Sequence, residues 1–291
     1  MRFAFANTES FQEADTVVMG VPDEGGSIST RRGASKAPGR MRRVSHRRLV
    51  VRREKATHLI QPQRGALTSK ILDYGDIKKE AVAGIVERVA RAGKRPVIVG
   101  GDHSITYETL KGLSKAKRKI SFVYLDAHPD FICSKREYYG SVVCDIADLK
   151  NVDVERSVEI GVRAPELEEI ENILARHLTT ITVSDLVEMG PMGVLEKVRE
   201  VVGENVYLSI DMDVVDPAFA PGVNMPTPGG LSSKELIYLA TGIARGGLLG
   251  FDVMEVSPPY DIQDMTSDLA VRCLMETIAS ARNAGISRTS R

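Results

Sequence analysis

Only three cysteines, Cys133, Cys144 and Cys273, occur in the 291 residues, and no two of them have CxxC spacing. An odd, scattered set is a poor disulfide framework and predicts a reducing compartment. No stretch approaches the roughly 18 consecutive apolar residues of a membrane span, and the opening MRFAFANTESFQEAD lacks the apolar core of a signal peptide. A cytoplasmic chain with no membrane partner is therefore expected. Net charge is missing too. Lys plus Arg and Asp plus Glu number 39 each, so global electrostatics favour neither nucleic acid nor a strongly acidic ligand. Neither GxGxxG nor GK[ST] is found, so the glycine pairs at 100–101 and 229–230 read as close backbone packing rather than phosphate cradles.

What is present is ordinary for a globular chain: 43% hydrophobic and 27% charged residues, in a length that one α/β domain can fill. A single domain over 1–291 is expected. Short apolar runs rich in β-branched residues recur at 16–22, 95–104, 120–128, 157–163, 179–185, 205–213 and 248–257. Continuous apolarity suits strands covered on both faces, as in a parallel sheet. Between them, 77–92 places Val82, Ile85, Val86 and Val89 on one helical face ahead of Gly93, and Ser232 with Glu235 forms a capping-box spacing before a helix over 233–245. Strand and helix in alternation predict an α/β fold with right-handed crossovers.

Polar residues concentrate where the apolar runs end: GGDHS after PVIV, DAHPD after FVYL, DMD after YLSI, and MEVS after GFDV. Parallel strands share one carboxyl edge, where ligands bind, so these clusters should converge. His103, Asp126, His128, Asp130, Asp211 and Asp213 together offer four carboxylates and two imidazoles. Such acids brought together repel by many kcal/mol unless cations compensate them, and two divalent ions balance four charges. The spacing by two in DAHPD and DMD puts the donors on one side of an extended chain. Acids shared between the ions would hold them roughly 3.5 to 4 Å apart, close enough to share one water. Oxygen-rich donors with some imidazole suit Mn²⁺.

GGDHS (100–104), DAHPD (126–130), SIDMDVVDPAFAPG (209–222), PTPGGLS (226–232) and GFDVMEVSPPYD (250–261) resemble the ureohydrolases, the manganese enzymes that include arginase and agmatinase. The segment 20–42, DYGDI (73–77) and IGVR (160–163) resemble further parts of that family, so the likeness spans nearly the whole chain. It implies a three-layer α/β/α fold on a mainly parallel sheet of about eight strands. It also implies two Mn²⁺ per subunit: one held by His103, Asp126, Asp130 and Asp211, the other by Asp126, His128, Asp211 and Asp213. Asp126 and Asp211 would bridge them. Glu255 would bind a cationic guanidino substrate, Asp130 would hand a proton to the departing amine, and the chain would assemble as a homo-oligomer, trimer or hexamer. The motifs are more similar to the agmatinase branch than to arginases, which implies agmatine as substrate. N1-aminopropylagmatine, guanidinobutyrate and arginine stay as alternatives, as does a catalytically silent binding protein.

Two departures bear on this. Ureohydrolases commonly carry a proton-shuttling histidine in the loop after DAHxD, but FICSKREYYGSVVCDIADL has none, the position falling near Ser141 or Val142. Thr227 stands where agmatinase-like relatives often have glutamate, in a loop expected to border the substrate tail. His46, His58 and His177 have no polar company and read as ordinary histidines. From Arg31 to Lys55 eleven residues are Lys or Arg, with Glu54 the only acid. Without interleaved aromatics, that stretch reads as a solvated or subunit-facing surface rather than a nucleic-acid site. Cys133 reads as a small packed residue, with a reactive thiol as the alternative.

Overall fold

A computed structural model describes residues 1–47, 69–117 and 119–281. Its strands are β1 (Thr16–Gly20), β2 (Ile71–Asp76), β3 (Arg95–Val99), β4 (Ile120–Leu125), β5 (Val158–Val162), β6 (Thr179–Thr182), β7 (Asn205–Asp211) and β8 (Gly250–Met254). They form one sheet, all parallel, in the order β2-β1-β3-β8-β7-β4-β5-β6. The helices are α1 (Ala37–Ser45), α2 (Val82–Arg91), α3 (Ile105–Ala116), α4 (Val142–Ala147), α5 (Leu167–Ala175), α6 (Val183–Val201), α7 (Ser233–Ala244) and α8 (Met265–Ser280).

Alternation along each strand feeds two separate cores. Val97, Val99, Val123, Leu125, Leu208 and Ile210 pack with residues of α1, α6, α7 and α8, whereas Ile98, Phe122, Tyr124 and Tyr207 pack with α2, α3 and α4. Helices thus cover both faces, the expected three-layer arrangement. The two helices expected from periodicity form. A 3₁₀ turn at Lys79–Ala81 leads into α2, Gly93 follows at φ 71°, and Ser232 and Glu235 cap α7 reciprocally. No helix of the described residues is long and apolar enough to cross a membrane.

Seven strands coincide with the apolar runs; the eighth, β2, does not. It lies at the edge, only its first three residues are buried, and it therefore lacks a continuous apolar run. Arg42 fastens it. The guanidinium, 5% exposed, meets both oxygens of Asp73 at 2.9 and 3.0 Å and also binds Asp76. Removing one partner of a buried pair strands the other charge, at about 3–5 kcal/mol. Arg42→Ala is accordingly expected to lower unfolding stability by about that amount in a denaturant titration, and a loss under ~1 kcal/mol would contradict it.

In the described part of the basic segment Arg32, Lys36, Arg43 and Arg47 are exposed, as a solvated surface requires, Arg42 is buried, and several of these side chains also make specific bonds. Arg31 binds the carbonyls of Pro221 and Val223, Arg32 those of Glu24 and Ser27, and Arg40 and Arg47 converge on Asp264. Arg31, Arg40 and Arg47 thus join segments far apart in the chain; positions 48–55, like His58, lie outside the described residues. The cysteine reading is corrected. Cys133 and Cys144 form a disulfide with Cα atoms 5.6 Å apart, leaving Cys273 as the free, buried thiol. The chain after β4 folds back on the start of α4, a proximity that a separation of 11 residues does not reveal. Cys133 is thus neither a lone packed residue nor a reactive thiol.

Candidate metal and substrate site

Strands β3, β8, β7 and β4 are consecutive in the centre of the sheet, so the residues that follow them meet at one edge. Close packing there explains the glycine at 101: a Cβ would collide with the backbone of Asp23, while Gly101 N donates to Val21 O and Gly101 O accepts from Glu255 N. Asp130 (φ 51°) and Glu255 (φ 65°) adopt the left-handed region, uncommon for residues with a Cβ and costly unless the surroundings enforce it.

Two groups of donors form. Ligand atoms of His103, Asp126 and Asp211 lie within 4.8 Å of one another, and so do those of Asp126, His128 and Asp213. Asp126 belongs to both. Asp130 Oδ2 is 3.5 Å from His103 Nδ1, beside the first group. Glu255 approaches from β8: its Oε1 accepts from His103 N at 2.8 Å, and its Oε2 is buried without a partner.

The tautomer of His103 follows from its neighbours. Asp252 accepts from the hydroxyls of Ser209 (2.6 Å), Tyr207 (2.6 Å) and Thr106 (2.7 Å). Because Ser209 gives its proton to Asp252, its oxygen accepts from His103 Nε2, 2.8 Å away. That assignment leaves a lone pair on Nδ1. It faces Asp126 Oδ2 and Asp211 Oδ2, each at 3.0 Å, and Asp126 Oδ2 has no hydrogen-bond partner. A lone pair aimed at carboxylate oxygens is repulsive unless a cation stands between them or the ring is protonated.

Electrostatics point the same way. Burial, followed by the charges of neighbouring acids, pushes the carboxyls of Asp130 and Asp211 well above the usual range. Burial also opposes ionisation of Asp126, but hydrogen bonds with His103 and His128 hold it low. For both imidazoles burial opposes protonation, and the facing carboxylates more than reverse it. Four acids against two imidazoles, with a buried oxygen unpaired, is a donor set that fits divalent cations.

Several contributors have no sequence signal of their own. Tyr124 projects from β4, donates to Asp130 Oδ2 at 2.7 Å and stacks on His103 with ring centroids 4.4 Å apart. Thr227, singled out in the sequence, has its Oγ1 3.4 Å from His128 Nε2. In the loop after DAHPD, where the missing histidine would fall, Ser141 donates its hydroxyl to Asp145 and accepts from Tyr138 N, and Val142 is in the core. Two tyrosines of that loop feel the acids of the site: burial first, then Asp130, pushes the Tyr138 hydroxyl up to about 12, and burial first, then Glu255 and Asp130, pushes that of Tyr139 up to about 12. His46 is exposed and bonded to Arg2 O, and exposed His177 precedes β6 at the opposite edge of the sheet.

The sequence matches the arginase family over residues 14–279. Proclavaminate amidinohydrolase of Streptomyces clavuligerus is 34% identical over 274 residues, covering 88% of this chain and 84% of that protein. An agmatinase of Neisseria meningitidis serogroup C is 33% identical, covering 87% and 83%. Among solved structures, agmatine ureohydrolase of Thermoplasma volcanium superposes with a TM-score of 0.83 at 31% identity, covering 96% of this chain and 93% of that one. The structure of the Streptomyces clavuligerus enzyme gives 0.85 at 30%, covering 96% of each. With its eight parallel strands and the buried His–Asp groups at their central carboxyl ends, the chain belongs to the arginase family and is an agmatinase-like amidinohydrolase.

Proposed function

We propose that the chain hydrolyses the guanidinium group of a small cationic substrate, agmatine, to putrescine and urea, with two Mn²⁺ per subunit. The observation that carries this reading is a pair of metal-ligand groups sharing Asp126, with an unpaired Glu255 oxygen beside them. His103, Asp126, Asp130 and Asp211 would hold one ion, and Asp126, His128, Asp211 and Asp213 the other. Bound there, the ions would supply acidity to a water that must attack a poorly electrophilic carbon near neutral pH.

The remaining work falls to the side chains. Glu255, anchored through Oε1 on His103 N, presents Oε2 to guanidinium N–H groups in charge-assisted hydrogen bonds. Asp130, oriented by the Tyr124 hydroxyl, is placed to pass a proton to the departing amine. Around the site, Arg31, Arg32 and Arg163 are bonded to backbone carbonyls and Lys79 to Ser104, so these four cations are committed. A substrate tail without a carboxylate suits such surroundings. The test is urea release by Mn²⁺-loaded protein across agmatine, N1-aminopropylagmatine, guanidinobutyrate and arginine. Agmatine is expected to give the highest kcat/KM; preference for another member changes the substrate, and silence across the panel from folded, metal-loaded protein favours a binding role.

A further inference from the structure

Asn224 carries chemistry that the reading above leaves unused. The residue is 1% exposed, yet neither its Oδ1 nor its Nδ2 has a hydrogen-bond partner. A buried amide in that state has given up its bonds to water without replacement, a cost folds rarely retain without a use. Its backbone is firmly held: Ser29 Oγ donates to Asn224 O at 3.0 Å, and Arg31 binds the carbonyl just before it.

The position is informative. Val223 pairs antiparallel with Val256, and Ser257 N donates to Gly222 O at 2.7 Å, so the pairing sets Asn224 opposite Glu255. Three residues on, Thr227 touches His128. Asn224 therefore lies on the stretch running from the Glu255 strand end to the second donor group. Glu255 Oε2 is itself unpaired, so the two orphans do not bond each other. A flat cation with N–H groups on several edges is a ligand that an amide oxygen and a carboxylate oxygen satisfy together.

We infer that Asn224 is a substrate-binding residue whose Oδ1 accepts an N–H of the same guanidinium that Glu255 holds. The inference rests on the guanidino reading of this site. Asn224→Leu, close in size and unable to accept, separates a binding role from a structural one, because removing an unpaired buried amide does not destabilise the fold. In Mn²⁺-loaded protein, the variant is expected to keep or raise its melting temperature. Meanwhile KM for the best panel substrate and Kd for guanidinium ion, titrated calorimetrically, rise about 10-fold with kcat changing less than about 3-fold, a loss of roughly 1.4 kcal/mol in binding. Asn224→Asp, which keeps the acceptor, is expected to bind guanidinium within about 3-fold of the parent, and it decides the matter should the leucine variant not fold. If the leucine variant folds and its KM and Kd stay within 2-fold, or if Asn224→Asp folds and loses guanidinium binding, the inference is overturned. Failure of the parent to release urea from any guanidine overturns the hydrolase proposal instead, while the guanidinium titration still reads Asn224.

Discussion

Asp126→Asn is expected to cut urea release by ~10³-fold or more, a barrier increase of about 4 kcal/mol, and to take bound manganese from two ions per subunit to fewer than one. The substitution preserves volume and removes the one carboxylate common to both donor groups. Its oxygens have unlike duties: Oδ1 accepts from His128 N at 2.7 Å, and Oδ2 faces His103 Nδ1. An amide keeps its oxygen toward the His128 N–H, because the reverse sets donor against donor. Its NH₂ then points at the Nδ1 lone pair and caps it. One substitution thus disables two ligands and unbalances the second group. Metal content by elemental mass spectrometry and urea release are the readouts; a variant retaining both ions and near-parental turnover would falsify the paired-cation proposal.

Glu255→Gln should separate the other half of the machinery. Because Glu255 is in neither donor group, both ions are expected to stay bound. A Gln amide cannot accept from His103 N and from substrate N–H groups through both of its ends, so one end opposes a donor. Loss of charge-assisted bonds and that mismatch together cost about 3–4 kcal/mol, a fall of ~10²–10³ in kcat/KM with KM raised. Parallel loss of metal would instead make Glu255 a support for His103, and a fall under 10-fold would remove it from substrate binding.

Much of the site is legible in the chain because parallel strands end at one edge and the acids sit where apolar runs stop. GGDHS, DAHPD and DMD need only that rule to be brought together, and the chemistry follows from the charge they share. Residues acting through contacts from afar are silent. Ser209 and Asp252 lie inside apolar runs and gain meaning only when β7 and β8 pair, Ser209 against Asp252 in register. Asn224 looks like any loop asparagine until its burial is known. The Cys133–Cys144 bridge and the Arg42 clamp likewise depend on return paths that spacing does not encode, and β2 escapes notice because an edge strand needs only one buried stretch.

The strand order places β3, β8, β7 and β4 between neighbours on either side, with β2 and β6 at the rims. Amides in the middle of such a sheet are released only when the whole structure opens, whereas the rims fray first. The His–Asp groups at the ends of these strands are therefore expected to be rooted in slowly exchanging backbone, which native-state hydrogen exchange would read. On the proposal above, Asn224 and Thr227, on the connection after β7, are positions where exchange by evolution or design would suit a different guanidine while that root stays untouched.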